Sequence, residues 1–180
     1  MQKNKNRVLF GSLKIMMAVA LLAGISIVCG KVLAIPGGDV MRFSFENLPI
    51  LLAGMAFGPV VGCVTGVVAD LLGCLMVGYT VNPLVTAGAA AIGLLGGLLF
   101  WLFKKAPCFL RVGLTVFLAH LVGSVVIKTF GLAQFYAIPF LTLMAWRGLN
   151  YLIVGALEFV LLFVLFRSKA FTDQLNKLKR

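Results

Sequence analysis

Residues 41–81, MRFSFENLPILLAGMAFGPVVGCVTGVVADLLGCLMVGYTV, combine a long apolar run with small residues at a fixed spacing. Four glycines recur every fourth position, namely Gly54, Gly58, Gly62 and Gly66. Small residues four apart let two helix backbones approach closely within lipid. Asp70 continues the same stripe, and a carboxylate inside a membrane is costly, so it indicates a site or a buried partner. The segment predicts closely packed membrane helices beside a binding site.

The composition identifies an integral membrane protein. Hydrophobic residues make up 62 % of the 180 residues, and the mean hydropathy is +1.10. The net charge of +11 does not indicate a nucleic-acid partner, because the basic residues cluster beside apolar runs and so report membrane topology. The four cysteines lack metal-ligand spacing, so no metal site is predicted.

The apolar runs predict an all-α membrane protein, a single compact bundle of six transmembrane helices. Phe57-Gly58-Pro59 interrupts one apolar run, because proline and glycine together mark a turn. Both helices flanking that turn are shorter than the roughly 20 residues of a full crossing. The predicted spans are about 8–30, 47–57, 59–77, 83–103, 109–127 and 140–166.

The basic residues favour six crossings with both termini in the cytoplasm. This arrangement places twelve of the sixteen Lys and Arg on the cytoplasmic face, in the two terminal segments and the loop at residues 104–111. Only Lys31, Arg42, Lys128 and Arg147 are left for the outer face. Five crossings would divide the basic residues between the two faces less consistently.

Polar and aromatic residues predicted to lie near the outer face form the candidate binding site. They combine cations for carboxylates, flat rings for stacking and amides for hydrogen bonds. His120, Ser124 and Lys128 share one stripe of a helix because they are four residues apart. The candidate substrate-binding residues are Arg42, Phe45, Tyr79, Asn82, His120, Lys128, Trp146, Arg147 and Asn150.

Other interpretations of these residues stay open from the sequence. Trp146 is also typical of the aromatic belt at a membrane surface, Lys128 of a snorkelling span end, and His120 of a hydrogen-bonded bundle residue. Arg147 lies several residues inside a predicted span, where an unpaired charge costs about 2.5–3.5 kcal/mol on insertion scales. It should therefore pair with an anionic ligand or with a carboxylate, either Asp70 or Glu158.

Catalysis is not predicted. The sequence has one histidine and no cluster of acidic residues, and no triad or metal-ligand group can be identified. The cluster Gly93, Gly96 and Gly97 lacks the Lys-Ser/Thr of a phosphate loop, so we interpret it as helix packing. The chain therefore cannot hydrolyse a nucleotide by itself, and no cofactor is expected on it.

The 41–81 segment resembles the substrate-binding S components of energy-coupling-factor vitamin transporters. The motifs that carry this resemblance are Arg42-Phe43-Ser44-Phe45, Leu48-Pro49-Ile50, Ala53-Gly54, Phe57-Gly58-Pro59, Gly62, Gly66, Asp70 and Gly73. Together with Gly78–Pro83 they are most similar to the folate-specific branch.

The resemblance implies a six-helix protein of a prokaryotic plasma membrane that captures a vitamin from outside. It implies partners too: a transmembrane coupling subunit and two cytoplasmic ATPases, which use the ATP. Small residues four apart on the first helix, here Ala20 and Gly24, are then the docking positions, and reorientation in the membrane releases the substrate inward. With folate as ligand, Arg42, Lys128 or Arg147 would hold the carboxylates, Tyr79 or Trp146 would stack on the pteridine, and Asn82 or Asn150 would bond its edge.

Two other substrates and two other classes of function are the alternatives. Within the same family, the substrate could be pantothenate or a queuosine precursor. Outside it, a membrane scaffold has no need of an arginine inside a span, and a membrane enzyme would need a catalytic group beyond those visible in the sequence.

Overall fold

A computed structural model describes residues 13–36 and 42–178, and the regular structure in them is almost entirely helical. The helices are α1 (Leu13–Ile27), α2 (Asn47–Phe57), α3 (Pro59–Val77), α4 (Pro83–Leu102), α5 (Cys108–Ala119), α6 (Thr129–Tyr136), α7 (Phe140–Arg167) and α8 (Lys169–Leu178). A π-helical segment, Val28–Val32, extends α1, and another, His120–Lys128, joins α5 to α6. The two-residue strands β1 (Ile35–Pro36) and β2 (Arg42–Phe43) pair antiparallel in the first loop.

The helical membrane architecture predicted from the sequence is confirmed. Five helical segments of the described chain are long and apolar enough to cross a membrane: Leu13–Val32, Pro59–Val77, Pro83–Leu102, Cys108–Tyr136 and Phe140–Arg167. The sixth predicted span is α2, whose eleven residues extend about 16 Å at 1.5 Å per residue, about half of a bilayer core. Six crossings and cytoplasmic termini therefore stay predictions.

The fifth span differs from its prediction at one end. It was expected to stop near Ile127, but the helical chain continues without a break from Cys108 to Tyr136. Hydropathy marks Lys128 as the end of a span, whereas in the structure this lysine is buried and neutralised by Glu46. Because Glu46 compensates the Lys128 charge, the membrane helix does not have to end there. Most of the segment after Ile127, which was expected to be a loop, is therefore helical. The first expected span begins at residue 8, and residues 8–12 lie outside the described chain.

The glycine stripe of the sequence is the contact between the α2–α3 hairpin and α4. A Cβ added at Gly54 or Gly62 would overlap the carbonyl of Gly93, and one added at Gly97 would overlap Pro59. Backbones this close leave no space for a side chain, so only glycine fits. The predicted packing role of the Gly93–Gly97 cluster is confirmed.

The bundle has two chemically different ends. The first, which we call the basic end, carries seven basic residues of the described chain on α1, the α4–α5 connection, α5, α7 and α8: Lys14, Lys104, Lys105, Arg111, Arg167, Lys169 and Lys177. Amphipathic α8 closes this end: Leu175 packs with Ile15 and with Phe57 of the hairpin turn, and Phe171 lies edge-on to Phe166. The sequence analysis did not predict α8. The opposite end holds the candidate site.

Candidate functional site

A cavity of about 350 Å³ opens at the end of the bundle opposite the basic end. It is enclosed by the end of α1, the loop before α2, the α3–α4 connection, α6 and the start of α7. The lining residues that carry charge, rings or amides are Lys31, Glu46, Asp70, Tyr79, Asn82, Lys128, Phe135, Tyr136, Arg147 and Tyr151. The volume lies in the range of about 300–1,000 Å³ that is typical of small-molecule sites.

Lys128 and Glu46 form an ion pair at the floor of this cavity. Lys128 Nζ donates to Glu46 Oε1 at 2.7 Å and to Asn47 Oδ1 at 3.2 Å. Gly30 lets the glutamate approach α1, because a Cβ there would lie 2.8 Å from Glu46 Cβ. Burial is the largest single influence and would raise the pKa of the Glu46 carboxyl. The Lys128 ammonium, with smaller contributions from Lys31 and Arg147, outweighs it and holds that pKa at about 2. The pair joins the first loop to the α5–α6 segment.

Arg147 extends from α7 into the cavity wall and is 7 % exposed. Its guanidinium donates to Thr129 Oγ1 at 3.1 Å, to the Ser124 carbonyl at 3.4 Å and to the Tyr151 hydroxyl at 3.3 Å. All three acceptors are neutral. Within the described chain no carboxylate lies within 4.0 Å of it, so pairing with Asp70 or Glu158, one of the two options left open by the sequence, is wrong.

Asp70 and Lys31 line the same cavity. Asp70 Oδ2 accepts a hydrogen bond from Thr86 Oγ1 at 2.6 Å, which ties α3 to α4. Lys31 Nζ lies 5.6 Å from the centre of the Tyr79 ring, within the range of a cation–π contact. Sequence reasoning did not select Lys31, since a lysine at the end of a span is usually a topology signal; its position on the π-helical extension of α1 turns it inward.

Asn82 lines the cavity, but its side chain also has a structural role. Its Oδ1 accepts from the Leu84 amide at 3.0 Å and so caps α4, while its Nδ2 donates to the Gly131 carbonyl at 2.9 Å. Glu46 of the first loop shares this cavity with Tyr79 and Asn82 of the α3–α4 connection.

Four of the nine predicted site residues line the cavity: Tyr79, Asn82, Lys128 and Arg147. Phe45, His120, Trp146 and Asn150 do not. Trp146 is 58 % exposed on the outside of α7, whereas Asn150 is buried inside the bundle. Arg42 lies in β2, and its side chain is outside what the structure describes.

His120 is buried behind the cavity rather than in it. Its Nε2 lies 2.5 Å from Glu158 Oε2 and its Nδ1 lies 3.1 Å from Ser124 Oγ. The imidazole stacks on the Tyr151 ring, with centroids 5.1 Å apart. No sequence pattern predicts the contact between His120 and Glu158, since they are 38 residues apart on different helices.

The two predicted docking positions lie on the outside of α1. Ala20 and Gly24 are exposed, and nothing lies within 4 Å of a Cβ added at Gly24. Both are therefore available to a partner in the membrane. Among the described residues, no three His, Cys, Asp or Glu side chains are grouped so that they could hold a metal ion.

Comparison with known proteins gives one family and several structural neighbours. The model of the family "ECF transporter, substrate-specific component" matches residues 14–166. No curated protein matches the chain in sequence.

Three solved structures share the fold at low sequence identity. FolT bound with folic acid is 22 % identical, with a TM-score of 0.68 over 84 % of this chain and 90 % of that one. The S component for biotin from an ECF-type ABC transporter is 18 % identical, with a TM-score of 0.65 over 93 % and 96 %. The S component of a bacterial ECF transporter is 20 % identical, with a TM-score of 0.64 over 93 % and 98 %.

Proposed function

Because this chain belongs to the substrate-specific components of ECF transporters, we propose that it captures folate from outside the cell. The chain is the membrane-embedded substrate-binding subunit of such a transporter and not an enzyme. Its cavity is the proposed folate site. The structural neighbour with bound folic acid supports this choice of substrate through its fold.

The observation that carries the proposal is the state of Arg147. It is a nearly buried cation in the wall of the cavity, and among the described residues its hydrogen-bond acceptors are neutral. A buried charge without an ion-pair partner is costly in a membrane protein, and an anionic ligand would reduce that cost. The glutamate tail of folate carries two carboxylates, which a guanidinium binds through charge-assisted hydrogen bonds.

Lys128 has a smaller role in the proposal than Arg147. Its charge is already compensated by Glu46, so it adds no net attraction for an anion. An ammonium has three donors, and two of them go to Glu46 and Asn47. The third can donate to a ligand oxygen. Lys31, also on the cavity wall, is the additional cation that we assign to the carboxylates.

The pteridine of folate is flat and rich in hydrogen-bond donors and acceptors. Tyr79, Tyr136 and Tyr151 line the cavity and offer faces for stacking. Asp70 is the carboxylate that we assign to the donor edge of the pteridine, because it faces the same space. Trp146 and Asn150 have no part in this assignment, since neither lines the cavity.

We propose a transport cycle that uses the two ends of the bundle. We place the cavity at the outer face, because basic residues gather at the opposite end and so mark the cytoplasmic side. In this arrangement the chain crosses the membrane six times and both termini lie in the cytoplasm. Docking of the exposed Ala20–Gly24 surface on a transmembrane coupling subunit, followed by reorientation, would then release folate inward. The two partner ATPases would hydrolyse the ATP, in the plasma membrane of a prokaryote.

A ligand panel tests the choice of substrate. The purified protein would be heated with folate, pantothenate or a queuosine precursor. A ligand that binds the folded state raises the Tm, and the stabilisation grows with the logarithm of the ligand concentration over its Kd. We expect the largest rise with folate. A rise with another vitamin only would overturn folate and leave the family role intact. Mass spectrometry of the small molecule that copurifies with the coupling complex identifies the substrate independently.

A further inference from the structure

Tyr151 forms a partition between the cavity and a second opening in the bundle. This opening, which we call the lateral groove, lies between α5 and α7, has a volume of about 500 Å³ and is lined by apolar residues such as Phe117 and Leu152. Tyr151 lines both spaces, and His120 lines the groove beside it. The Tyr151 ring therefore has open space on two sides.

A residue that borders two open spaces has fewer packed neighbours to hold it in place. Its contacts with His120 and Arg147 therefore matter for its position. The ring lies against the His120 imidazole at an interplanar angle of 26°, and its hydroxyl accepts a hydrogen bond from Arg147 at 3.3 Å. Tyr151 thus connects the imidazole on one side with the guanidinium on the other.

Glu158 fixes the imidazole. The carboxyl is 0 % exposed, and Oε2 bonds to His120 Nε2 at 2.5 Å. Among the described residues, Oε1 has no hydrogen-bond partner, so the polar contact of this buried carboxyl is with His120 alone. Burial of a carboxyl costs free energy unless it is paired. Its location behind Tyr151 gives it a role in the geometry of the site.

We propose that Glu158 and His120 form a positioning pair that holds the Tyr151 ring, and through it Arg147, in the arrangement that binds an anionic ligand. The proposal rests on the proposed function in one respect, because the ligand anchor is Arg147. Glu158 and His120 do not touch the ligand; they act through Tyr151. A specificity determinant would thus lie one layer behind the cavity wall.

Fluorine NMR tests the positioning of Tyr151 without any ligand. The chain has three tyrosines, so incorporation of 3-fluorotyrosine gives three signals, which single Tyr→Phe variants assign. In Glu158→Leu we expect the Tyr151 signal to shift or broaden while the Tyr79 and Tyr136 signals stay in place. Glu158→Gln keeps the shape and one hydrogen bond, so we expect a smaller change there. If Glu158→Leu does not fold, the Tyr151 signal of Glu158→Gln provides the test instead.

The matched control is Thr115→Val. Thr115 is equally buried on α5, and its hydroxyl bonds only the Arg111 carbonyl of its own helix. The three fluorotyrosine signals of the Thr115→Val protein should coincide with those of the wild type. A Tyr151 signal that is unchanged in both Glu158 variants, or that moves equally in Thr115→Val, would overturn the positioning pair.

A double-mutant cycle then connects the pair to the ligand, with folate as the probe. Glu158→Leu should weaken folate binding about tenfold, the loss expected when a buried charged hydrogen bond is removed. In an Arg147→Ala background it should cause no further loss, because the residue through which it acts is absent. Losses that simply add would show a general structural role and overturn the proposal. Absence of folate binding to the wild type would contradict the proposed function, whereas the fluorine spectra would still test the pair.

Discussion

Lys128 Nζ lies 2.7 Å from Glu46 Oε1 and so joins two parts of the chain that are 82 residues apart. The lysine side chain is almost fully buried, and the glutamate is partly exposed to the cavity. The pair explains how a lysine can lie in the middle of a helix that crosses the membrane. It also ties the first loop to the α5–α6 segment inside the cavity.

Removal of the lysine charge should therefore destabilise the protein. Lys128→Met leaves Glu46 with its charge uncompensated, and we expect a loss of about 2–3 kcal/mol, below the range for fully buried pairs because Glu46 is partly exposed. The measurement is the Tm in detergent or nanodiscs. Lys105→Met, at an exposed lysine of the basic end, is the control. Equal Tm values for the two variants would contradict a structural role for the pair.

The same pair predicts a dependence on pH. The pKa of Glu46 is lowered from 4.5 to about 2 in the folded protein. A lowered carboxyl pKa contributes stability that is fully present above pH 4.5 and is lost as the pH falls toward 2. The difference in Tm between the wild type and Glu46→Gln should thus shrink across this window. A difference that stays constant from neutral pH down through it would show that the carboxylate charge does not matter.

The contact between α3 and α4 predicts a sharp distinction between two glycines. Gly93→Ala should destabilise the bundle strongly, since the added methyl group would overlap the Gly62 carbonyl and its neighbours. Gly148→Ala on α7 is the matched control, because nothing lies within 4 Å of a Cβ there. Alanine is favoured over glycine in a helix, so this variant should be neutral or slightly stabilised. Similar Tm values for both variants would argue against the close contact.

The proposed docking surface predicts a loss of coupling without a loss of ligand binding. Ala20→Leu and Gly24→Leu add bulk on the exposed side of α1, which should prevent close approach of a partner helix. We expect less coupling subunit to copurify, with folate affinity unchanged. Ala87→Leu, at an exposed small residue of α4, controls for added bulk in general. If both α1 variants copurify with as much coupling subunit as the wild type, the docking surface does not include Ala20 and Gly24.

Local sequence patterns predicted the parts of the fold that are determined by neighbouring residues in the chain, such as turns and the packing faces of helices. The Phe57-Gly58-Pro59 turn and the spacing of small residues led to the α2–α3 hairpin and its packing. The end of the fifth span was wrong because the partner of Lys128 is distant in sequence. Hydropathy assigns a cost to the lysine but cannot show the carboxylate that compensates it.

The site was harder to predict than the fold, for a reason visible on α7. Arg147, Asn150 and Glu158 are spaced along one buried face of this helix, but that spacing does not show which of them reaches the cavity. Trp146 and Arg147 are adjacent and were both selected as site residues from the sequence, yet only Arg147 lines the cavity. Tertiary packing decides between them, and the pairing of His120 with Glu158 is equally invisible to helical periodicity.

The role of Arg147 as the folate anchor is tested most directly by the affinity of Arg147→Ala for folate. This affinity is measured by calorimetry on protein whose Tm shows that it is folded. Arg167→Ala, the same substitution at the exposed basic end of α7, is the control. We predict that loss of the Arg147 guanidinium weakens folate binding by about tenfold to a hundredfold, while Arg167→Ala binds like the wild type. An Arg147→Ala protein that is folded and binds folate with wild-type affinity would contradict the assignment of Arg147 as the folate anchor.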